Sequence, residues 1–322
     1  MRKVIFAFGL AMCSVVVAVT IGLKAVGMSP TNFSANIGVG TGMGAKLACS
    51  GHFLSGFDED QIRNDLASYS PAIDLFNITL DERAGKATVD LLGLFSTSAT
   101  YRKGIGCTLD QSDTTVIDGL EPPAEPKLDK NSLWPKGSRV REPDSRLVET
   151  LSLSLTQDQA QGLQTRALIM VQGGRIVAEV YAPEITPDTP LMGWSQGKSL
   201  TALIVGWLEQ QGLISVLERN LFPQWNEDER TEISVKNLLH MSSGLDFDEV
   251  YAPGSDATRM LFMDTVVSGV PLQSALAEAP GTHFYYSSGT TNLLTLLFNE
   301  RVGGPQNALN HLYQDILWPL GM

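Results

Sequence analysis

Two runs rich in apolar and β-branched residues, ALIMVQ (Ala167–Gln172) and RIVAEVY (Arg175–Tyr181), are separated only by Gly173-Gly174. A two-residue connection needs backbone angles that glycine adopts freely, so this stretch can hardly form anything but a tight antiparallel hairpin. The first run is almost wholly apolar, which predicts a strand covered on both faces. APEITPDTP follows, and its three prolines read as loop. In the next stretch, LMGWSQGKSLTALIVGWLEQQG (Leu191–Gly212), Leu200, Leu203, Ile204, Trp207 and Leu208 recur at three- and four-residue spacing. That spacing predicts a helix with one buried stripe, stopped at Gly212.

Ser195 and Lys198 stand where the loop becomes this helix. A side chain three residues on lies over the first on one helix face, so an amine is placed beside a hydroxyl near the unpaired N–H groups of a helix start. A hydroxyl nucleophile needs a proton acceptor, and a lysine whose pKa is depressed by burial or neighbouring cations can serve. Three chemical readings compete: the S-x-x-K pair of a serine hydrolase, the G-x-S-x-G elbow of an α/β-hydrolase over Gly193–Gly197, and a P-loop. The elbow needs a buried strand running into it, and only Leu191 and Met192 separate Gly193 from the proline loop. The P-loop has one residue too few between its glycines, and Met192 holds the place of the first. A plain alternative is a capping serine with a solvated lysine.

A net charge of −12 argues against nucleic acid or an anionic lipid surface as the main partner. The four histidines and three cysteines show no metal-ligand spacing, so neither a metal nor a cofactor is expected. After Met1-Arg2-Lys3, twenty residues carry no charge, enough for a helix about 30 Å long. Residues 1–27 therefore read as an uncleaved membrane anchor or a cleaved signal peptide. Either one sends the remainder out of the cytoplasm, to the periplasm or to the periplasmic face of the inner membrane. Residues 28–130 read as a small N-terminal region of unknown role, with a short helix over Asp60–Ser68 and a hairpin from LFNITL and ATVDLL. Cys49 and Cys107, the two cysteines outside the leader, are expected to pair in an oxidising compartment. Glu121–Gly137, rich in proline and charge, reads as a linker, with a catalytic domain over 131–322.

Three segments then follow in order: GWSQGKSLTALIVGWL, ISVKNLLHMSSGLDFDE and PGTHFYYSSGTTNLL. Together they resemble the serine β-lactamase-like hydrolases, the relatives of class C β-lactamases, DD-peptidases, family VIII esterases and aminohexanoate-dimer hydrolases. The resemblance covers about Thr165 to Met322. It implies an α/β fold, a β-lactamase/transpeptidase-like sandwich of antiparallel sheet flanked by helices, and a small-molecule ester or amide substrate. It implies Ser195 as nucleophile, with Lys198 and Tyr286 of Tyr286-Ser287-Ser288 sharing the proton transfers. Ser288 would hydrogen-bond the substrate, and Tyr251 would line the pocket. Tyr285 also fits the tyrosine motif with Ser287 and is read as a packing residue. Ser242-Ser243-Gly244 resembles a structural turn beside the pocket.

Two departures stand out. Gln196-Gly197 replaces bulkier residues common inside the S-x-x-K pair, and the family's downstream K-T-G or H-x-G strand does not occur before Met322. The chain is therefore expected to be a C-terminally truncated piece of a longer enzyme, with an incomplete sheet and impaired catalysis. Two further functions remain open: a catalytically silent, membrane-anchored binding protein of the same fold, and an α/β-hydrolase with His283 or His311 as base.

Overall fold

In the computed structural model, which describes residues 33–111, 113–126 and 131–322, the Gly173-Gly174 hairpin forms as its spacing predicts. In chain order the main elements are α1 (Phe33–Phe53), α2 (Glu59–Tyr69), β1 (Phe76–Asp81), β2 (Lys86–Leu91), β3 (Phe95–Arg102) and β4 (Gly106–Leu109). Then come α3 (Ser145–Ala160), β5 (Ala167–Gln172), β6 (Arg175–Tyr181) and α4 (Gln196–Gln210). Last are α5 (Val235–Leu239), α6 (Asp256–Phe262), α7 (Ser288–Arg301) and α8 (Pro305–His311). Among the described residues no helix is long and apolar enough to cross a membrane, and the apolar leader expected over 1–27 lies outside them.

Packing divides the described residues into two compact units, those up to Leu120 with Ile214–Leu297, and those of Glu121–Leu213 with Phe298–Met322. The N-terminal region thus packs with the middle of the chain.

In the first unit β1 to β4 form an antiparallel meander in sequence order. Its buried side chains alternate, with Phe76 and Ile78 on β1, Ala87 and Val89 on β2, Ala99 on β3 and Cys107 on β4. All of them join one core with Ala45, Ala48 and Cys49 of α1. The helix comes this close because it is rich in glycine. A Cβ at Gly40 would press on the Phe76 ring at 2.9 Å and one at Gly44 on Val89 at 3.1 Å, while one at Gly42 would overlap the carbonyl oxygen of Phe262. So α1 lies between the sheet and the end of α6. Asp58 starts α2 by accepting from Gln61 N–H.

Cys49 and Cys107 are bridged, with their Cα atoms 5.9 Å apart, and the bridge ties α1 to β4. With 58 residues of separation, the chain-entropy account gives about 4 kcal/mol of stabilisation. Non-reduced peptide mapping is expected to recover the linked pair. Cys49→Ser with Cys107→Ser should lower the unfolding free energy by about that amount in a denaturant melt.

In the second unit the hairpin turn has Gly173 and Gly174 at φ +57° and +70°, the left-handed angles of a two-residue connection. Helix α3 packs on β6. Asp144 begins that helix, accepting from Arg146 and Leu147 N–H, and its own N–H donates to the Val177 carbonyl at 2.8 Å. The expectation that β5 is covered on both faces does not hold. Ile169 and Val171 are 52% and 50% exposed, because the sheet has two strands and α3 sits mainly against the other one.

Candidate active site

The first part of the site lies in the second unit. Residues 182–195 carry no strand, so the buried strand required by a G-x-S-x-G elbow is absent and Ser195 is not an α/β-hydrolase nucleophile. Trp194 instead makes the approach, with φ +43°, a conformation few non-glycine residues adopt and one that concentrates at functional positions. Ser195 follows as N-cap of α4 with helical angles, φ −67° and ψ −4°. An N-cap serine ordinarily turns its oxygen onto the N–H groups of the first turn. Ser195 makes no such side-chain cap. Its Oγ accepts from Lys198 Nζ at 3.3 Å, so the serine does not act as a capping residue. The helix is seated by buried Thr201, Ile204, Val205 and Leu208, and Thr201 donates to the Gly197 carbonyl at 3.0 Å. Gln211 caps its end and Gly212, at φ +69°, stops it as expected.

His311 lies on the same unit but away from the serine. Its Nδ1–H donates to the Asp315 carboxylate across 2.6 Å, and its ring lies tilted against Trp207 with centroids 4.9 Å apart. Trp207 is about 18 Å along the helix axis from Ser195, so His311 is not its base.

The second part lies in the first unit, at the start of α7. Ser242-Ser243-Gly244 acts structurally, as its sequence suggested. The Ser242 carbonyl accepts from Gly281 N–H at 2.8 Å, and the Gly244 carbonyl accepts from Ala277 and Glu278 N–H at 2.8 and 3.1 Å. Met241, at φ +53°, accepts from Tyr285 N–H at 2.8 Å. Tyr286 comes next, 40% exposed. Tyr285 is not a buried packing residue. It is 47% exposed and lines a cavity of about 350 Å³ with Met241, His283 and Ser287.

Ser288 is buried and engaged by a residue that sequence reasoning missed. The Glu249 carboxylate accepts from Ser288 N–H and from Ser288 Oγ–H, each at 2.6 Å. Tyr251 O–H donates to the same carboxylate at 3.1 Å and lies 3.5 Å from Ser288 Oγ. Ser288 and Tyr251 are therefore brought together on one acid. Burial and the adjoining Glu249 carboxylate push the Tyr251 phenol above the usual tyrosine range, with the Ser288 hydrogen bond acting the other way. The phenol stays a donor at neutral pH. Glu249 closes the SGLDFDE run, which was the available signal, but its partner is 39 residues on. Among the described residues no group of three or more metal-ligating side chains occurs.

Residues 152–322 match the family model for beta-lactamase. No curated protein matches the chain. Among solved structures it is similar to a "putative beta-lactamase" from Bacteroides dorei DSM 17855, at 23% identity and TM-score 0.45, covering 54% of this chain and 51% of that one. It is also similar to a "putative 6-aminohexanoate-dimer hydrolase" from Bacillus anthracis, at 17% identity and TM-score 0.42, covering 64% and 54%. The chain spans about half the length of each.

Proposed function

Because the chain belongs to the beta-lactamase family, which its residues 152–322 match, we propose that it is an exported serine hydrolase. It opens an ester or amide through an acyl-enzyme on Ser195. The observation that carries this reading is the Lys198 Nζ contact to Ser195 Oγ at a helix start where the serine makes no side-chain cap.

Lys198 and Tyr286 share the proton of Ser195 as Oγ attacks the substrate carbonyl carbon. The developing oxyanion is met by the backbone N–H of Ser195, where the N-terminal dipole of α4 favours negative charge. Collapse of the tetrahedral intermediate breaks the acyl bond, and the held proton goes to the leaving alcohol or amine. Water then attacks the ester on Ser195, giving up its proton to the same pair, and the acid leaves with Ser195 restored. Exposed Tyr251 lines the substrate side, while Ser288, expected to bind substrate, instead commits both donors to Glu249. Export rests on the apolar leader, and the substrate is a small molecule outside the cytoplasm.

Incubating the full chain with matched phenyl ester and anilide pairs, alongside cell fractionation, tests this reading. Ser195-dependent release of the phenol or aniline and recovery outside the cytoplasm are the expected results. Saturable substrate binding with no product would instead make it a silent binder.

A further inference from the structure

We infer that Glu249 is a positioning residue for Tyr286, a role that rests on the reading of Tyr286 proposed above. The segment Tyr285–Ser288 is tied at both ends. Upstream, Tyr285 N–H donates to the Met241 carbonyl at 2.8 Å. Downstream, both donors of Ser288 converge on Glu249, the N–H on Oε2 and the hydroxyl on Oε1, each at 2.6 Å. Tyr286 is the partly exposed residue held between these ties.

The chemistry of the downstream tie is specific. Ser288 opens α7, and the first N–H groups of a helix have no partner within it. An acid supplied from elsewhere in the chain satisfies one of them with a charge-assisted bond that the helix dipole favours. Ser288 is only 7% exposed, so water does not readily replace that acid. Ser288 N–H can only donate, whereas the hydroxyls of Ser288 and Tyr251 can rotate to donate or accept. A glutamine at 249 can therefore keep its oxygen on Ser288 N–H and turn its NH₂ toward the two hydroxyls. The tether survives that change. Alanine removes it.

The test compares full-length wild type, Glu249→Gln and Glu249→Ala by amide hydrogen exchange of peptides spanning 284–292. It also measures labelling of Ser195 by a fluorophosphonate, resolved into saturating rate and half-saturating concentration. Glu249→Ala should speed exchange at the start of α7 about tenfold, as loss of a cap does. The saturating labelling rate should fall by about as much, while the half-saturating concentration moves less than about threefold. Glu249→Gln should bring both readouts back toward wild type. Should the alanine variant fail to fold, Glu249→Asp, one methylene too short to hold both donors, should show the faster exchange. Unchanged exchange in the alanine or aspartate variant, or equal losses in alanine and glutamine variants, would overturn the assignment. If wild type is not labelled at Ser195, the proposed function fails, and the exchange result alone still decides whether Glu249 holds the segment.

Discussion

Ser195→Ala is expected to abolish acylation, and Lys198→Ala to lower it by about 10²–10⁴-fold, the range of a lost general base. In the proposed mechanism Ser195 Oγ is the atom that takes the acyl group, so the alanine variant should keep no covalent chemistry at this position. In the proposed mechanism the lysine acts through its 3.3 Å contact with Ser195 Oγ, which modest movement brings within reach for proton transfer. Alanine at 198 leaves α4 intact, since alanine is the best helix former and the buried stripe is carried by Thr201, Ile204, Val205 and Leu208. A far-ultraviolet spectrum unchanged from wild type with labelling lost is the expected pair of results. Labelling that persists at the wild-type rate in Lys198→Ala would remove the lysine from the mechanism.

The second large effect is on folding. Gly244 sits at φ +79°, and a Cβ built there would overlap the carbonyl oxygen of Glu278. The two strands of chain cannot simply part, because the Gly244 carbonyl accepts from both Ala277 and Glu278 N–H. Gly244→Ala therefore meets left-handed strain of about 1 kcal/mol together with overpacking of about 1–3 kcal/mol. We expect a loss of about 3 kcal/mol, read as a melting temperature lowered by about 6–12 °C. The turn also supports Gly281 through Ser242 and Tyr285 through Met241, so acylation should weaken with stability. A melt within 1 °C of wild type, a shift of under about 0.5 kcal/mol, would show that the turn relaxes freely.

What was legible in the sequence was local. Gly173-Gly174 determines its own turn geometry, so β5 and β6 fall on the residues expected. The apolar spacing after Ser199 and the stop at Gly212 marked the helix without a distant partner, but the buried face runs through Thr201, Ile204, Val205 and Leu208, and Leu203 is 52% exposed. Asp60–Ser68 lengthened by one residue at each end, and the β1–β2 hairpin shifted by a single residue. Helix α1 was illegible for a physical reason. Gly38, Gly40, Gly42 and Gly44 each lower helix propensity by about 1 kcal/mol relative to alanine, and only the sheet and α6 packed against them explain their presence. Strand β3, FSTSATYR, keeps the two-residue alternation, with Thr97, Ala99 and Tyr101 facing the side of Val89, Ala87 and Cys107, but that face is too poor in large apolar residues to mark a strand without β2 and β4 beside it. The apolar character of β5 reads as two-sided burial, yet the described structure leaves Ile169 and Val171 half exposed.

The site divides the same way. Ser195 and Lys198 are three residues apart, and the helix period alone places them together. Tyr286 and Ser288 were legible as a motif, but their support was not. Nothing in the spacing of Glu249 announces that its carboxylate ends on Ser288, since that contact depends on how the Gly244 turn and the Pro280-Gly281 turn stack. Long-range acceptors of this kind are set by tertiary packing, and no periodicity records them.

The central claim is that Ser195 carries the acyl group. Treating the full chain with a fluorophosphonate and mapping the adduct by peptide mass spectrometry tests it most directly. A single adduct on Ser195, absent from the Ser195→Ala variant, is the predicted result. An adduct on Ser242, Ser243 or Ser288 in place of Ser195, or one that survives in Ser195→Ala, would contradict it.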